Sequence, residues 1–397
     1  MCAVRNLLAV VFVVCSAGAV LAQAPAQAQA QAPASQPAPS DEPMTWKDRL
    51  KEPDQAGGMH FSEHWGVAFG GIKQGSGVAL GPAWSTKFSD GGFLQLKGVG
   101  SIKKFWIVQA RYDTQRFWSD SAILITRLRH YNAPELSLYH RGPLSPDARA
   151  EYSERRTDAS TLLVMRPFAA ARVSLGFGVE RYATGADPIP VKEGPGALPE
   201  LPPEFPGVGT HPWFAHSYGS FGWDTRLSPD YSRSGHFAEI GLHDYHDVKN
   251  GQDSFRRAET TLQQLVPVYG GKGVIDAGLR TWFTFGKNEG SVPFFLMPTL
   301  GGGDLLRAFP SYRFRDRNAW LFKGEFRWAV HEMADIAGLY EGGKVGPAIE
   351  NLDFRDMAHS VAVGIRVHNK TSSLFRADVA HGRDGWGFRV GFSAGGS

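Results

Sequence analysis

From residue 65 onward, apolar and polar residues alternate in short runs separated by turn-forming Gly, Ser, Asp and Asn. Such period-two alternation marks strands whose two faces meet different surroundings. The clearest run lies at residues 318–331. Trp320, Phe322, Phe326, Trp328 and Val330 fall on one face; Lys323, Glu325, Arg327 and His331 fall on the other. The apolar face is unusually aromatic and the opposite face unusually charged. A sheet in water buries its apolar side, whereas a barrel in a membrane turns that side to lipid and keeps a polar interior. The pattern therefore predicts an all-β chain folded as a transmembrane antiparallel barrel.

The other runs agree with this. Val361, Val363, Ile365 and Val367 alternate with Ser360, Ala362, Gly364 and Arg366. Phe375, Ala377 and Val379 alternate with Arg376 and Asp378, and Trp386, Phe388, Val390 and Phe392 with Gly387, Arg389 and Gly391. Further strands are expected near residues 65–73, 76–88, 92–101, 103–113, 121–128, 152–165, 171–182, 217–226, 236–247, 257–266, 273–286 and 334–344. Membrane strands need about 9–11 residues and such barrels usually hold an even number, which gives about 16. Two connections are too long and too Gly- or Pro-rich for strands: the Pro-rich residues 187–212, and residues 287–318, which carry a Gly-rich stretch with one arginine among apolar neighbours. A third loop is expected around residues 141–155.

Composition narrows the reading. The 397 residues carry a formal net charge of +3, with no basic stripe of the kind nucleic acid requires. Cys2 and Cys15 are the only cysteines. Both lie in residues 1–22, which read as a secretory signal: Arg5, an apolar core from Leu7, then Val20-Leu21-Ala22. The exported chain would hold no disulfide or thiolate site. Residues 23–58 are dominated by Ala, Gln and Pro and read as a disordered tether, leaving 59–397 as the barrel domain. No later segment approaches the roughly 20 apolar residues of a membrane helix. Residence in a membrane therefore requires a closed barrel, in which every backbone group finds a partner.

Several segments carry a resemblance. Gly301-Gly302-Gly303 followed by Leu306-Arg307-Ala308-Phe309 and a return to strand resembles the sixth loop of the bacterial surface antigen, or BamA/TamA, superfamily of outer-membrane barrels. GLYEGGKVG (338–346) is similar to that family's Gly-Phe-Val-Asp-x-Gly strand, with Glu341 in the Asp position. YHRGPLSPDARAEY (139–152) is similar to its Gly-x-Gly-x-x-Ser segment, and WDTRLSP (223–229) to its Asp-Thr-Arg turn. The closing RDGWGFRVGF resembles the C-terminal strand signal of assembled barrels. Together these span residues 65–392. Ala308 replaces a family glycine, and the segment ahead of the barrel is too short for the periplasmic POTRA domains that usually precede it.

The resemblance implies that this loop folds into the lumen and that Arg307, followed by Ala308 and Phe309, pairs with an acid on the inner wall. A confined guanidinium needs a carboxylate of matching fork geometry. Glu341 is the first expected partner, with Glu325 and Asp378 as alternatives. The resemblance also implies a weak seam where the first and last strands meet, with Gly66, Gly70, Phe388 and Phe392 along it.

Other matches carry little chemistry. GFSAG (391–395) fits the serine-hydrolase elbow, but the chain leaves no room for the following helix or the later acid and His. HEMAD (331–335) lacks the second His of a zinc protease. His243 and Tyr245 should share one face and Asp244 and His246 the other, and the cluster reads as a solvated rim. No metal, cofactor, nucleotide or enzymatic reaction is expected. The expected role is assembly, insertion or translocation of protein or lipid in the outer membrane of a Gram-negative bacterium. Partners would be the surrounding lipid and any periplasmic proteins or lipoproteins supplied in trans. The alternative is a passive pore or structural barrel.

Overall fold

The computed structural model describes residues 58–70, 72–145, 149–185, 205–249, 251–303 and 305–392. The expected signal and most of the tether lie outside these residues. The main sheet has 17 strands. β1 (Gly58–His60) is a three-residue strand laid on the first wall strand. The other sixteen form the barrel wall. They begin with β2 (Trp65–Gly70), β3 (Ala79–Lys87), β4 (Phe93–Ser101), β5 (Trp106–Asp113) and β6 (Ala122–Tyr139). The wall continues with β7 (Arg149–Met165), β8 (Ala171–Gly185), β9 (Trp213–Asp224), β10 (Gly235–Asp247), β11 (Phe255–Val268) and β12 (Gly273–Gly286). Two short strands, β13 (Thr299–Leu300) and β14 (Phe314–Arg315), pair only with each other. The wall resumes with β15 (Asn318–His331), β16 (Ala334–Gly346), β17 (Ala358–His368), β18 (Ser373–Gly382) and β19 (Gly385–Phe392).

Every neighbouring pair from β2 to β19 is antiparallel, β12 pairing directly with β15. Sheet order brings β19 back beside β2. Connections at one end of the wall are short, such as residues 332–333 and 369–372; at the other they include residues 186–212 and 287–317. β2 starts and β19 finishes at the short-turn end.

The alternation has the orientation of a membrane barrel. Outward residues stay exposed although apolar: Phe177 58%, Leu242 61%, Val363 62% and Phe388 65%. The inward set holds buried ions, among them Asp158, Asp276, Glu325, Arg327, Asp335 and Asp378. No helix among the described residues is long and apolar enough to cross a membrane. Trp320 lies on the outward face as its alternation requires, yet is 2% exposed. Residues 347–357 fold down over it, packing Leu352 and Met357 on the outer wall, with Phe354 against its ring and Asp353 on outward Lys344.

The third loop corrects the sequence reading. It covers only residues 140–148, because β6 and β7 rise well past their neighbours, pairing as far as Tyr139 and Arg149. Leu136, Leu138, Ala150 and Tyr152 on this tall hairpin pack against Phe205 and Phe294 from the two long loops. That aromatic roof, with ring centroids 4.8 Å apart for Tyr152–Phe294 and 5.9 Å for Phe205–Phe294, covers the long-loop end. Burial against it supports strand where turn residues alone had indicated a loop.

Candidate functional site: the arginine-bearing insert

The insert between β12 and β15 turns inward on a small hairpin, Thr299 opposite Arg315 and Leu300 opposite Phe314. Its tip is tightly wound: Gly301 N donates to Leu305 O at 2.6 Å, Gly302 N to Phe309 O at 3.0 Å, and Leu305 N to Gly302 O at 3.0 Å. Gly301 and Gly302 have φ of +109° and +79°, and a Cβ at Gly301 would meet Pro310 O at 2.4 Å. The glycine run is thus required by both backbone and space. Leu306 and Tyr312, flanking the arginine, also sit at φ of +64° each, a conformation that costs a residue with a Cβ on the order of 1 kcal/mol. Ala308 is not among the positive-φ residues; the turn falls on Leu306 instead, so the alanine creates no backbone strain there.

Leu300, Leu306, Ala308, Phe309 and Phe314 are buried against Leu321, Leu339, Ala362 and Ala380 on the inner wall of β15–β18. This strip of wall is lined with small residues because the insert comes so close. A Cβ on Gly387 would lie 2.7 Å from Arg307 O, and one on Gly382 2.9 Å from the Ala308 Cβ. Ser360 Oγ accepts from Ala308 N at 3.1 Å.

Arg307 is 3% exposed and meets two carboxylates. Its Nη1 donates to Glu341 Oε1, its backbone N to Glu341 Oε2 at 2.7 Å, and its Nε lies 3.2 Å from Asp378 Oδ2. Glu341 and Asp378 are fully buried, so each would be costly alone and each is satisfied by the guanidinium. Glu325, the third candidate, does not reach Arg307. It pairs with Lys323 at 2.9 Å and Arg366 at 3.3 Å, and Arg366 returns to Asp378 at 2.7 Å. The three acids thus belong to one ionic ladder, continued by Lys323 to Asp276 at 3.3 Å.

The residues after Phe309 fasten the insert at the long-loop end. Arg313 binds Asp384 at 2.5 Å and Ser145 Oγ at 2.7 Å, Arg315 donates to Phe294 O at 2.7 Å, and Asp316 accepts from Arg141 at 2.7 Å. Sequence reasoning missed Ser360, Arg366, Arg389 and the two wall glycines. Their period-two positions place them inward, but only the docked insert distinguishes them from other inward residues.

At the seam, Gly66 faces Ala83 on one side and His60 of β1 on the other, and Gly70 has a φ of +153°. The described residues carry no register between β2 and β19. β1 takes Gly66, Val67 and Ala68 of that edge instead. Phe388 faces outward opposite Val379, and Phe392 lies opposite Phe375. The insert also reaches the seam, since Arg389 of β19 donates to Phe309 O at 2.5 Å.

The His243 cluster departs from a solvated rim. Asp244 and His246 are exposed, but His243 turns inward. His216 Nδ1 lies 2.9 Å from Glu180 and its Nε2 3.0 Å from His243 Nδ1, and His216 stacks on Tyr245 at 4.0 Å. Three or more His, Cys, Asp or Glu placed to hold a metal are not found among the described residues.

No protein-family model matches the chain, and no curated protein matches it. Solved structures do. BamA from Haemophilus ducreyi lacking POTRA domains 1–3 superposes with a TM-score of 0.60 at 14% identity, over 87% of this chain and 77% of that one. CdiB from Escherichia coli gives 0.52 at 10% identity, over 82% and 59%, and CdiB from Acinetobacter baumannii 0.51 at 9%, over 83% and 57%. This chain therefore spans less than two thirds of either CdiB chain. The sixteen-strand wall and the likeness to these outer-membrane barrels establish its architecture: the chain has the barrel fold seen in BamA and CdiB.

Proposed function

We propose that this protein assembles, inserts or translocates a macromolecule, protein or lipid, at the outer membrane of a Gram-negative cell, with its short-turn end in the periplasm. The observation that carries the reading is the insert locked in the lumen beside the seam. Arg307 ties it to β16 and β18, and Phe309 O accepts from Arg389 on β19. A docked insert stabilises any barrel, but it narrows a pore, whereas a machine that works at its seam needs a fixed element there. The short strand β1 pairs with Gly66, Val67 and Ala68 at the start of the wall, beside that seam. The process requires no covalent step and no cofactor, and draws on binding energy from the incoming strand or lipid. Periplasmic proteins or lipoproteins acting in trans, with the surrounding lipid, are the partners this role calls for.

In-cell photocrosslinking from Val67 and Phe388 tests it. Capture of a nascent outer-membrane protein or a lipid at these positions, and not from outward Val363, is the expected outcome. A passive barrel predicts equal background at all three, with a steady open pore for the intact protein in planar bilayers.

A further inference from the structure

The connection between β9 and β10, residues 225–234, is the longest at the short-turn end. It has its own internal structure: Ser228 N donates to Ser232 Oγ at 2.8 Å, and that hydroxyl donates back to Ser228 O at 2.7 Å. Arg226 fixes its base, with Nε on Asp224 at 3.0 Å and Nη1 on Gln263 Oε1 at 2.6 Å. A connection serving only to reverse the chain would lie over β9 and β10. This one reaches past β11 and β12 to β15–β17.

Its contacts there are extensive. Tyr231 OH donates to Asp335 Oδ2 at 2.8 Å, and Arg233 Nη1 lies 3.1 Å from Asp335 Oδ1. Arg233 Nη2 also donates to Gly271 O and Lys272 O, each at 2.9 Å, in the turn after β11. The Tyr231 ring stacks on His368 with centroids 3.8 Å apart, while Arg327 covers it at 5.0 Å and donates to Ser232 O at 2.6 Å. Arg327, Asp335 and His368 are inward residues of β15, β16 and β17. From β10 to β16 is four strand steps, about 19 Å along the wall at the usual spacing. The turn therefore runs as a chord beneath the lumen. Burial, with the neighbouring Asp335, pushes the Tyr231 hydroxyl up to about 12, so near neutral pH it is a phenol able to donate. Asp335 is fully buried, and displacing the turn would leave it, among the described residues, facing His368 at 3.5 Å.

We propose that residues 225–234 form a gate over the β10–β17 side of the short-turn mouth, latched on Asp335, and that access along this side to the lumen face of β11 and β12 requires Tyr231 and Arg233 to be displaced. The aromatic roof packs at the opposite end of the same lumen. The gate is separable from the seam, because its contacts fall on β15–β17 and the insert's contact with the last strand falls on β19.

The test measures access rather than transport, so its outcome is independent of what the barrel handles. Residues 23–397 contain no cysteine, which lets Thr261→Cys, on the inward face of β11, serve as a single lumen probe. Folded barrel in detergent, confirmed by heat-modifiable migration, is treated with a membrane-impermeant maleimide. Adding Tyr231→Ala and Arg233→Ala should raise the labelling rate about tenfold or more, as expected for loss of hydrogen bonds to a charged group. Tyr231→Phe retains both ring contacts and should stay within about threefold of the parent. Equal rates in the parent and the double variant would overturn the gate, as would a parent already labelled as fast as unfolded protein. If the double variant does not fold, Asp335→Asn is read in its place, with the same acceleration expected and the same equality overturning the proposal.

Discussion

Arg307 draws its two carboxylates from different strands, Glu341 on β16 and Asp378 on β18, with β17 supplying Ser360 between them. Removing one partner of a buried ion pair costs about 3–5 kcal/mol, mostly from the charge left behind. Arg307→Ala should therefore lower markedly the temperature at which the folded band is lost on gels, since buried Glu341 loses the guanidinium that faces it and buried Asp378 is left with Arg366. Arg307→Lys should be intermediate, because a point charge cannot serve both acids with fork geometry. Gly387 gives a steric counterpart. Gly387→Leu places a side chain where Arg307 O lies 2.7 Å from the built Cβ, and overpacking of this kind costs about 1–3 kcal/mol. Gly338→Ala, outward on β16 with nothing within 4 Å, should leave the same melting measurement unchanged. Arg307 and Glu341 stand out in the sequence because each sits in a local pattern of Gly and apolar residues. The role of Gly387 does not, because it depends on a backbone some 80 positions away in the chain.

Among the elements, wall strands were the most legible, since inward and outward surroundings impose period two on nearly every residue. Residues 273–286, 318–331 and 360–368 form strands close to where their alternation places them. The β6–β7 hairpin was not legible above the membrane zone: Pro134, Gly142 and Pro143 signal turns, while the roof that stabilises it comes from loops remote in sequence. β1 was also invisible, for three residues carry no period. It gives a prediction of its own. Deleting residues 58–60 should leave the folded barrel intact but speed amide hydrogen exchange at Gly66, Val67 and Ala68, whose register partners would be gone. Unchanged exchange would mean that β19 already protects that edge.

For the molecule as a whole, inversion of polarity is the organising fact, and it sets how substitutions should rank. Val363→Arg on the lipid face of β17 should hinder folding into lipid vesicles by about 2–4 kcal/mol if it lies near the bilayer midplane. Thr261→Arg, on the lumen face of β11, should be far milder in the same assay. The seam gives the wall a mechanical character that the strand count alone does not. The wall begins at β2 and ends at β19, and the insert touches residues beside both: Arg389 of β19 donates to Phe309 O, while the Gln74 backbone, just past β2, hydrogen-bonds Tyr312. The two ends of the wall are thus linked through the insert, by its backbone at Phe309 and its side chain at Tyr312. Shifting the insert by a few ångströms would therefore release the first and the last wall strand from it at once.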